Sequence, residues 1–163
     1  MVNAFFPRFA VFFGVPYFVL HLFPLSFLLE KIARIESWAL NALGYSSVQS
    51  GVLVSSNAAW FQIVPSCSGL VMVILLFALL YATAVKEPLR FFVVFAPALF
   101  AFNLVRLFAV TAVGGTWGMA AMEATHVWLW FVDAALVLFL WFVAFSVSWA
   151  RGKKQGVSQA RAE

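Results

Sequence analysis

Long apolar runs separated by short polar segments dominate the chain. Four runs are long enough to cross a membrane, whose hydrocarbon core takes roughly 20 apolar helical residues. They cover residues 10–29, 68–85, 91–113 and 127–150. The first contains Pro16 and Pro24, which predict a kink, and the second is short unless the turn around Cys67 joins it. The pattern predicts an all-α integral membrane protein with one four-helix domain over 1–150 and a basic tail at 151–163.

The connection between the first two runs predicts two smaller elements. Over 30–43, apolar residues recur at helical spacing opposite polar ones, which is typical of a helix lying on the membrane surface. Two β-rich runs, 52–54 and 60–64, flank a polar turn at 55–57. This arrangement predicts a small β-hairpin on the outer side of the membrane.

Composition supports the membrane class. Apolar residues make up 65% of the 163 positions and charged residues only 10%, and the mean hydropathy is +1.02. A soluble domain with this balance has too few polar groups to cover its surface. The 20 Phe and 7 Trp residues suit lipid-facing helices and interfacial belts. The expected surroundings are a lipid bilayer, and no nucleic-acid partner is expected.

Positive charge is distributed unevenly between the connections. Seven Lys and Arg residues share one side if four helices cross the membrane. They are Arg8, Lys86, Arg90, Arg151, Lys153, Lys154 and Arg161. The connection 30–68 has two positive charges balanced by two negative ones, and 114–125 contains no Lys or Arg. Since Lys and Arg favour the cytoplasmic side, both termini are predicted to be cytoplasmic and both of these connections external.

Three chemically active side chains lie next to or inside separate apolar runs. Cys67, the only cysteine, precedes the second run, Arg106 lies in the third, and His126 opens the fourth. Arg106 follows Phe91 by about 23 Å of helix at about 1.5 Å per residue, which is the outer third of the membrane. All three side chains are therefore predicted at one depth near the outer face. A lone cysteine also excludes an intramolecular disulfide or a dithiol redox pair.

Each of these residues alone has an ordinary structural explanation. A single cysteine packs well as a small apolar residue. An arginine in the outer third can extend to lipid phosphate, and a histidine at a helix start can be interfacial. Together, at one depth and in separate runs, they favour a catalytic site, because ionisable residues inside membrane segments are usually functional.

The residue types fit acyl transfer or peptide hydrolysis. A thiolate attacks carbonyl carbon, and Cys67 is predicted at the positive end of the second helix. Arg106 would stabilise the thiolate or the oxyanion of the intermediate, and His126, at the start of the fourth helix, would transfer the proton. Glu123, one turn earlier, would orient the ring if that helix begins early.

Asp133 is the only acidic residue within a predicted span. It follows His126 by seven residues, about 10 Å deeper at about 1.5 Å per residue, close to the depth of Arg106. Two interpretations stay open. Asp133 pairs with Arg106 and holds it toward the thiol, or it is neutral and bonds to a neighbouring helix.

Three short elements follow one another over 64–130. They are a Cys-Ser-Gly element at 67–69, an Asn-x-x-Arg element at 103–106, and His126 after an outer connection. Their order, spacing and membrane placement resemble the exosortase/archaeosortase family. By this resemblance Cys67 is the nucleophile, Arg106 the transition-state cation and His126 the acid/base. The supporting candidates are Asn103, Asp133, Ser66, Ser68 and Glu123.

The resemblance also implies a substrate class and a location. Members of the family act in prokaryotic cell membranes, with the active site toward the outer face. They cleave a C-terminal sorting signal consisting of a motif, a transmembrane helix and a basic cluster, and transfer the protein to another anchor. The motif and the acceptor (water, lipid, glycan or amine) are not indicated. No cofactor and no metal are implied.

Two further expectations concern partners and an alternative class. Many family members have about eight spans, so a chain with four predicts a partner subunit or a homo-oligomer. The alternative is a non-catalytic four-helix subunit that assembles or escorts another membrane protein, and such a protein would tolerate Cys67→Ala.

Overall fold

Helices and one small sheet make up the part of the chain that the structure describes. The computed structural model covers residues 2–23, 25–57, 59–83 and 85–159, with side chains described between 5 and 150. The helices are α1 (Val2–Leu22), α2 (Ser26–Ala42), α3 (Leu70–Ala82), α4 (Pro88–Trp117) and α5 (Met119–Gln159). The strands are β1 (Gln49–Ser50), β2 (Leu53–Ser56) and β3 (Ala59–Gln62), and a 3-10 turn, Pro65–Cys67, precedes α3.

Within the described residues, three helices are long and apolar enough to cross a membrane. They are Phe5–Leu22 within α1, Pro88–Trp117, and Met119–Ala150 within α5. The fourth candidate, α3, has 13 residues. This is about 20 Å at about 1.5 Å per residue, less than a hydrocarbon core of roughly 30 Å. α3 also begins later and ends earlier than the predicted helix 68–85. The four-span topology stays a prediction.

The predicted run 10–29 is divided between two helices, because α1 ends at Leu22 and α2 begins at Ser26. Pro24 lies outside the described residues, but its chemistry explains the division. A proline lacks the amide N–H and disfavours helical backbone in the residue before it. The single kinked span expected here is wrong, and the second part of the run belongs to α2.

The predicted hairpin is present and has a third strand. β2 and β3 are antiparallel with Val54 opposite Phe61, and β1 pairs with the other edge of β2. Ile32 and Leu40 of α2 pack with Val54 and with Leu107 of α4 in one apolar core. α2 is thereby fixed to the sheet and to α4 by one face. Its placement on the membrane surface stays a prediction.

Glu36 is buried on that inner face of α2. Its side chain is 1% exposed, and its Oε2 has no hydrogen-bond partner among the described residues. Burial raises the pKa of Glu36 to about 8, so the carboxyl group is mostly protonated at pH 7. The count of two positive and two negative residues in the connection 30–68 stands, and Glu36 is the member of that count that is buried.

A second apolar cluster holds α3 against α4 and α5. It contains Leu76 and Leu80 of α3, Leu99 of α4 and Val137 of α5. Phe9 of α1 packs against the same cluster. This packing fixes the start of α3, and with it the turn that precedes it, beside the two longest helices.

α4 and α5 form an antiparallel pair joined by one residue, Gly118. Its backbone has φ +87° and ψ 178°, a conformation that glycine adopts readily and other residues do not. The predicted outer loop 114–125 is therefore wrong, and so is the predicted helix start at 127. α5 begins at Met119 and its backbone stays helical through Gln159. In the predicted tail, residues 160–163 lie outside the described residues.

Gly114 and Gly115 lie inside α4 because the hairpin packs directly against them. A Cβ atom at Gly114 would lie 2.8 Å from the Phe61 ring, and one at Gly115 would collide with Ser56. These two glycines let the sheet pack closely against the helix, and they do not form a turn. This is why a glycine-rich stretch continues as helix.

Candidate active site

Arg106 is buried between α4 and α5 and is held by an ion pair. Its Nη1 donates to Asp133 Oδ2 at 2.6 Å, and the two side chains are only 2% and 3% exposed. The helices are antiparallel about Gly118, so the two residues face each other. A buried charge without a partner is strongly destabilising, and Asp133 supplies that partner. The predicted Asp133–Arg106 pair is thus present.

Asn103 joins Arg106 to the turn that contains the cysteine. It lies one helical turn before Arg106 on the same face, and its Oδ1 accepts a hydrogen bond from Arg106 Nη1 at 3.2 Å. Its Nδ2 donates to the backbone carbonyl oxygen of Cys67 at 2.9 Å. The side chain of Asn103, only 1% exposed, therefore joins the Cys-Ser-Gly element to Arg106.

Gly69 allows this close contact. Its φ is +78°, and a Cβ atom there would lie 2.7 Å from Asn103 Cγ. Both the backbone conformation and the spacing therefore require glycine. Ser68 closes the turn, because its Oγ donates to Pro65 O at 2.6 Å and accepts from Leu70 N at 3.3 Å. Ser66 is on the exposed side of the turn.

Cys67 is a partly buried free thiol at the end of the 3-10 turn. It lies three residues before Leu70, where α3 begins. Cys67 precedes the N-terminus of this helix, as predicted, but the left-handed backbone of Gly69 separates its turn from α3. The carbonyl contact from Asn103 holds the cysteine instead.

His126 contacts Arg106 from α5. Arg106 Nη2 and His126 Nε2 are 3.5 Å apart, at the long limit of a hydrogen bond. A guanidinium group only donates, so this contact is a hydrogen bond only with Nε2 as the acceptor, in the neutral tautomer that has its proton on Nδ1. His126 lies seven residues after Met119, so its predicted position at a helix start is wrong.

Cys67 and His126 line one cavity of about 450 Å³. β3, α4 and α5 form its walls, with mainly apolar side chains such as Leu107 and Met122. Arg106 lies behind this wall, in contact with His126. Arg106 therefore contacts His126 directly and is linked through Asn103 to the backbone carbonyl of Cys67, and the cysteine and the histidine both line the cavity.

Glu123 lines the same cavity, one helical turn before His126. Between residues 5 and 150, no described hydrogen bond joins the two side chains, so its predicted role in orienting the ring stays a prediction. The ring contacts Arg106 instead. In the same part of the chain, no group of three or more His, Cys, Asp or Glu side chains is placed to hold a metal ion.

Comparison with known families identifies the protein class. The family model described as transmembrane exosortase matches residues 2–147, which is most of the chain. The chain belongs to the transmembrane exosortase family. The match covers α1 to α4 and most of α5, and so includes every residue of the candidate site. No curated protein and no solved structure matches the chain.

Membership in the exosortase family agrees with the helices described above. Three long apolar helices and the family match indicate a multi-pass membrane protein. The family generally consists of cysteine transpeptidases that act on membrane-bound substrates with sorting signals. The resemblance seen in the short elements of 64–130 is thereby confirmed over a much longer segment.

Two polar residues that line this cavity were not predicted from the sequence. Thr111 lies eight residues after Asn103, on the same face of α4, and lines the cavity. Its Oγ1 donates to Leu107 O at 3.0 Å. Its helical spacing from Asn103 was the signal available in the sequence. Gln62 also lines the cavity, from β3, where no periodic pattern distinguishes it.

Proposed function

We propose that this exosortase is a membrane cysteine transpeptidase that cleaves C-terminal sorting signals of exported proteins, with Cys67 as nucleophile. The observation that carries the proposal is the side chain of Asn103, which bonds both the carbonyl of Cys67 and the guanidinium of Arg106. A purely structural cysteine would not need this connection to a buried cation that also contacts His126.

The first half-reaction forms an acyl-enzyme. The Cys67 sulfur attacks the scissile carbonyl carbon, and the C–S bond forms as the carbonyl oxygen becomes an oxyanion. Arg106 Nη2, held only loosely by His126, turns to this oxygen and leaves His126 Nε2 free to take the thiol proton. The imidazolium then gives the proton to the leaving amine as the C–N bond breaks, which produces a thioester.

The second half-reaction releases the product. An acceptor nucleophile, an amine, a hydroxyl group of lipid or glycan, or water, attacks the thioester carbonyl and gives its proton to His126. The C–S bond breaks, and the proton returns to the Cys67 sulfur. Asp133 and Asn103 both accept from Nη1 of Arg106, so the N–H groups of Nη2 are the ones left for the oxyanion.

The acyl-enzyme provides the direct test. A membrane fraction is incubated with a co-produced protein from the same genome that ends in a motif, an apolar helix and a basic cluster. We expect a covalent adduct at Cys67, detected by mass spectrometry and released at neutral pH by hydroxylamine, as expected for a thioester. Cys67→Ala should give no adduct and no cleaved product. Full cleavage by Cys67→Ala would exclude the nucleophile and favour the non-catalytic assembly subunit.

We also propose four spans with both termini cytoplasmic and the site toward the outer face. The seven positive charges on one side support this orientation. A span formed by α3 would need the residues on either side of it, or a locally thinner membrane, because its 13 helical residues are short.

Reporter fusions at both ends test this topology. Reporters placed before Met1 and after Glu163 are expected to be active only in the cytoplasm, and one placed after Gly118 only outside. If α3 does not cross the membrane, three spans leave the termini on opposite sides, and one terminal reporter will be active outside. That result would contradict the four-span arrangement.

A further inference from the structure

The free edge of β3 lies at the cavity that contains Cys67. Four consecutive residues, Trp60 to Ile63, line this cavity. Side chains alternate between the faces of a strand, and here Trp60 and Gln62 are exposed whereas Phe61 and Ile63 are buried. Exposed and buried residues of one strand line the same cavity only if the edge of the strand faces that cavity.

The hydrogen-bond register identifies the backbone groups on that edge. Ile63 N donates to Val52 O of the hairpin at 2.9 Å. In an antiparallel pair, successive residues alternate between bonding the partner strand and pointing away from it. Phe61 therefore bonds Val54, and the N–H and C=O groups of Trp60 and Gln62 point outward. No described residue forms a hydrogen bond with these four groups.

We propose that a substrate segment binds in extended form, as a fourth strand beside β3. This inference rests on the proposed function and adds its mode of substrate recognition. The edge continues through five residues to Cys67, so a peptide that pairs with Trp60 and Gln62 runs along the cavity toward the thiol. Main-chain hydrogen bonds supply affinity that depends little on the peptide's side chains. The apolar cavity walls then select the peptide side chains that face them.

The surroundings favour a peptide over other occupants. Outward backbone groups are costly in hydrocarbon, which excludes a lipid tail along this edge. Gln62, Thr111 and Glu123 supply polar groups to the lining of the cavity, which is otherwise mainly apolar. An extended peptide matches both, since its backbone is polar and its side chains alternate.

The test measures how fast Cys67 reacts with peptide probes. Biotinylated tetra-alanine acyloxymethyl ketones are added to the full-length protein in detergent. The Cys67 thiolate displaces the acyloxy carboxylate and forms a thioether, which is quantified by mass spectrometry. A series of probes carries one N-methyl group, on each amide in turn. Strand pairing predicts labelling slowed about tenfold at alternate amides and little changed between them, because one hydrogen bond is lost at each alternate position.

Proline variants test the protein side of the same bonds. Gln62→Pro removes an outward N–H and should slow peptide labelling about tenfold. Gln62→Ala retains the N–H and separates the backbone effect from the side chain. Gln49→Pro is the matched control. Gln49 lies opposite Val54 of β2, but its backbone N–H does not donate to β2 and points outward from the opposite edge of the sheet. Iodoacetamide, which has no peptide backbone, should label Cys67 equally in all three variants.

Each outcome decides between binding modes. Equal labelling by all N-methylated probes, or labelling by iodoacetamide but by none of the peptide ketones, overturns strand pairing. If Gln62→Pro also slows iodoacetamide, the variant disturbs the turn, and the probe series on the unaltered protein decides. A dimer that Gln62→Pro dissociates would assign the edge to a second copy and overturn the proposal. Alternating labelling together with full processing by Cys67→Ala would retain the strand site and reject the proposed function.

Discussion

Cys67→Ala, Arg106→Ala and His126→Ala are each expected to abolish or nearly abolish processing of a co-produced sorting-signal protein. Loss of the nucleophile removes the covalent route. Loss of the proton-transfer residue should cost about 10²–10⁴ in rate, and loss of an oxyanion donor about 10²–10³. Residues that act as one unit are not additive, so the triple variant should be no worse than Cys67→Ala. The measurement is the ratio of processed to unprocessed substrate over time.

Matched variants separate catalysis from general damage. His21→Ala removes a histidine whose Nδ1 contacts Tyr17 O at 2.8 Å in α1, outside the cavity. Arg34→Ala removes an exposed arginine from α2. Both should process at the normal rate. Arg106→Lys should fail like Arg106→Ala, because a lysine cannot reach Asp133, Asn103 and His126 from one planar group. Normal processing by His126→Ala would remove that residue from the mechanism.

Asp133→Asn should retain the fold and lose most activity, by about tenfold or more. The substituted amide can still accept a hydrogen bond from Arg106 Nη1, so the helix contact survives, but the buried positive charge loses its counter-ion. Without that counter-ion, the guanidinium is expected to be drawn toward headgroups and away from the site. Processing is measured beside the rate at which iodoacetamide labels Cys67, which should stay unchanged because Asn103 still holds the turn.

Ser148→Ala is the control for Asp133→Asn. Ser148 is a buried polar residue of the same helix, and its Oγ accepts a hydrogen bond from Lys86 N at 2.8 Å, far from the cavity. This variant should process normally if the effect at 133 is specific. Full activity of Asp133→Asn beside an inactive Arg106→Ala would mean that Asn103 alone positions the arginine.

The ion pair between Arg106 and Asp133 could be predicted because helical geometry is regular. Counting about 1.5 Å per residue from the ends of the two apolar runs placed both side chains at a similar depth. The spacing of Asn103 and Arg106 likewise placed them on one face. Such estimates depend on local structure alone, and they succeed even when helix ends are misjudged by several residues.

The corner at Gly118 and the turn that separates Cys67 from α3 could not be predicted, because both depend on tertiary contacts. Gly114 and Gly115 are typical of a turn, and only the packing of Phe61 and Ser56 explains why they continue a helix. Gly69 likewise separates the cysteine from α3 because Asn103, distant in sequence, occupies the adjacent space. A local pattern contains no information about a neighbour from another helix.

The short corner between α4 and α5 also affects how the protein enters the bilayer. A single arginine or aspartate at the centre of a membrane helix raises the cost of insertion by about 2.5–3.5 kcal/mol. Here only Gly118 separates two helices whose opposite charges meet at 2.6 Å. The two helices can leave the translocation machinery as one hairpin with the pair already formed, so neither charge meets lipid alone. Insertion into the membrane and formation of the Arg106–Asp133 pair then become a single event in biogenesis.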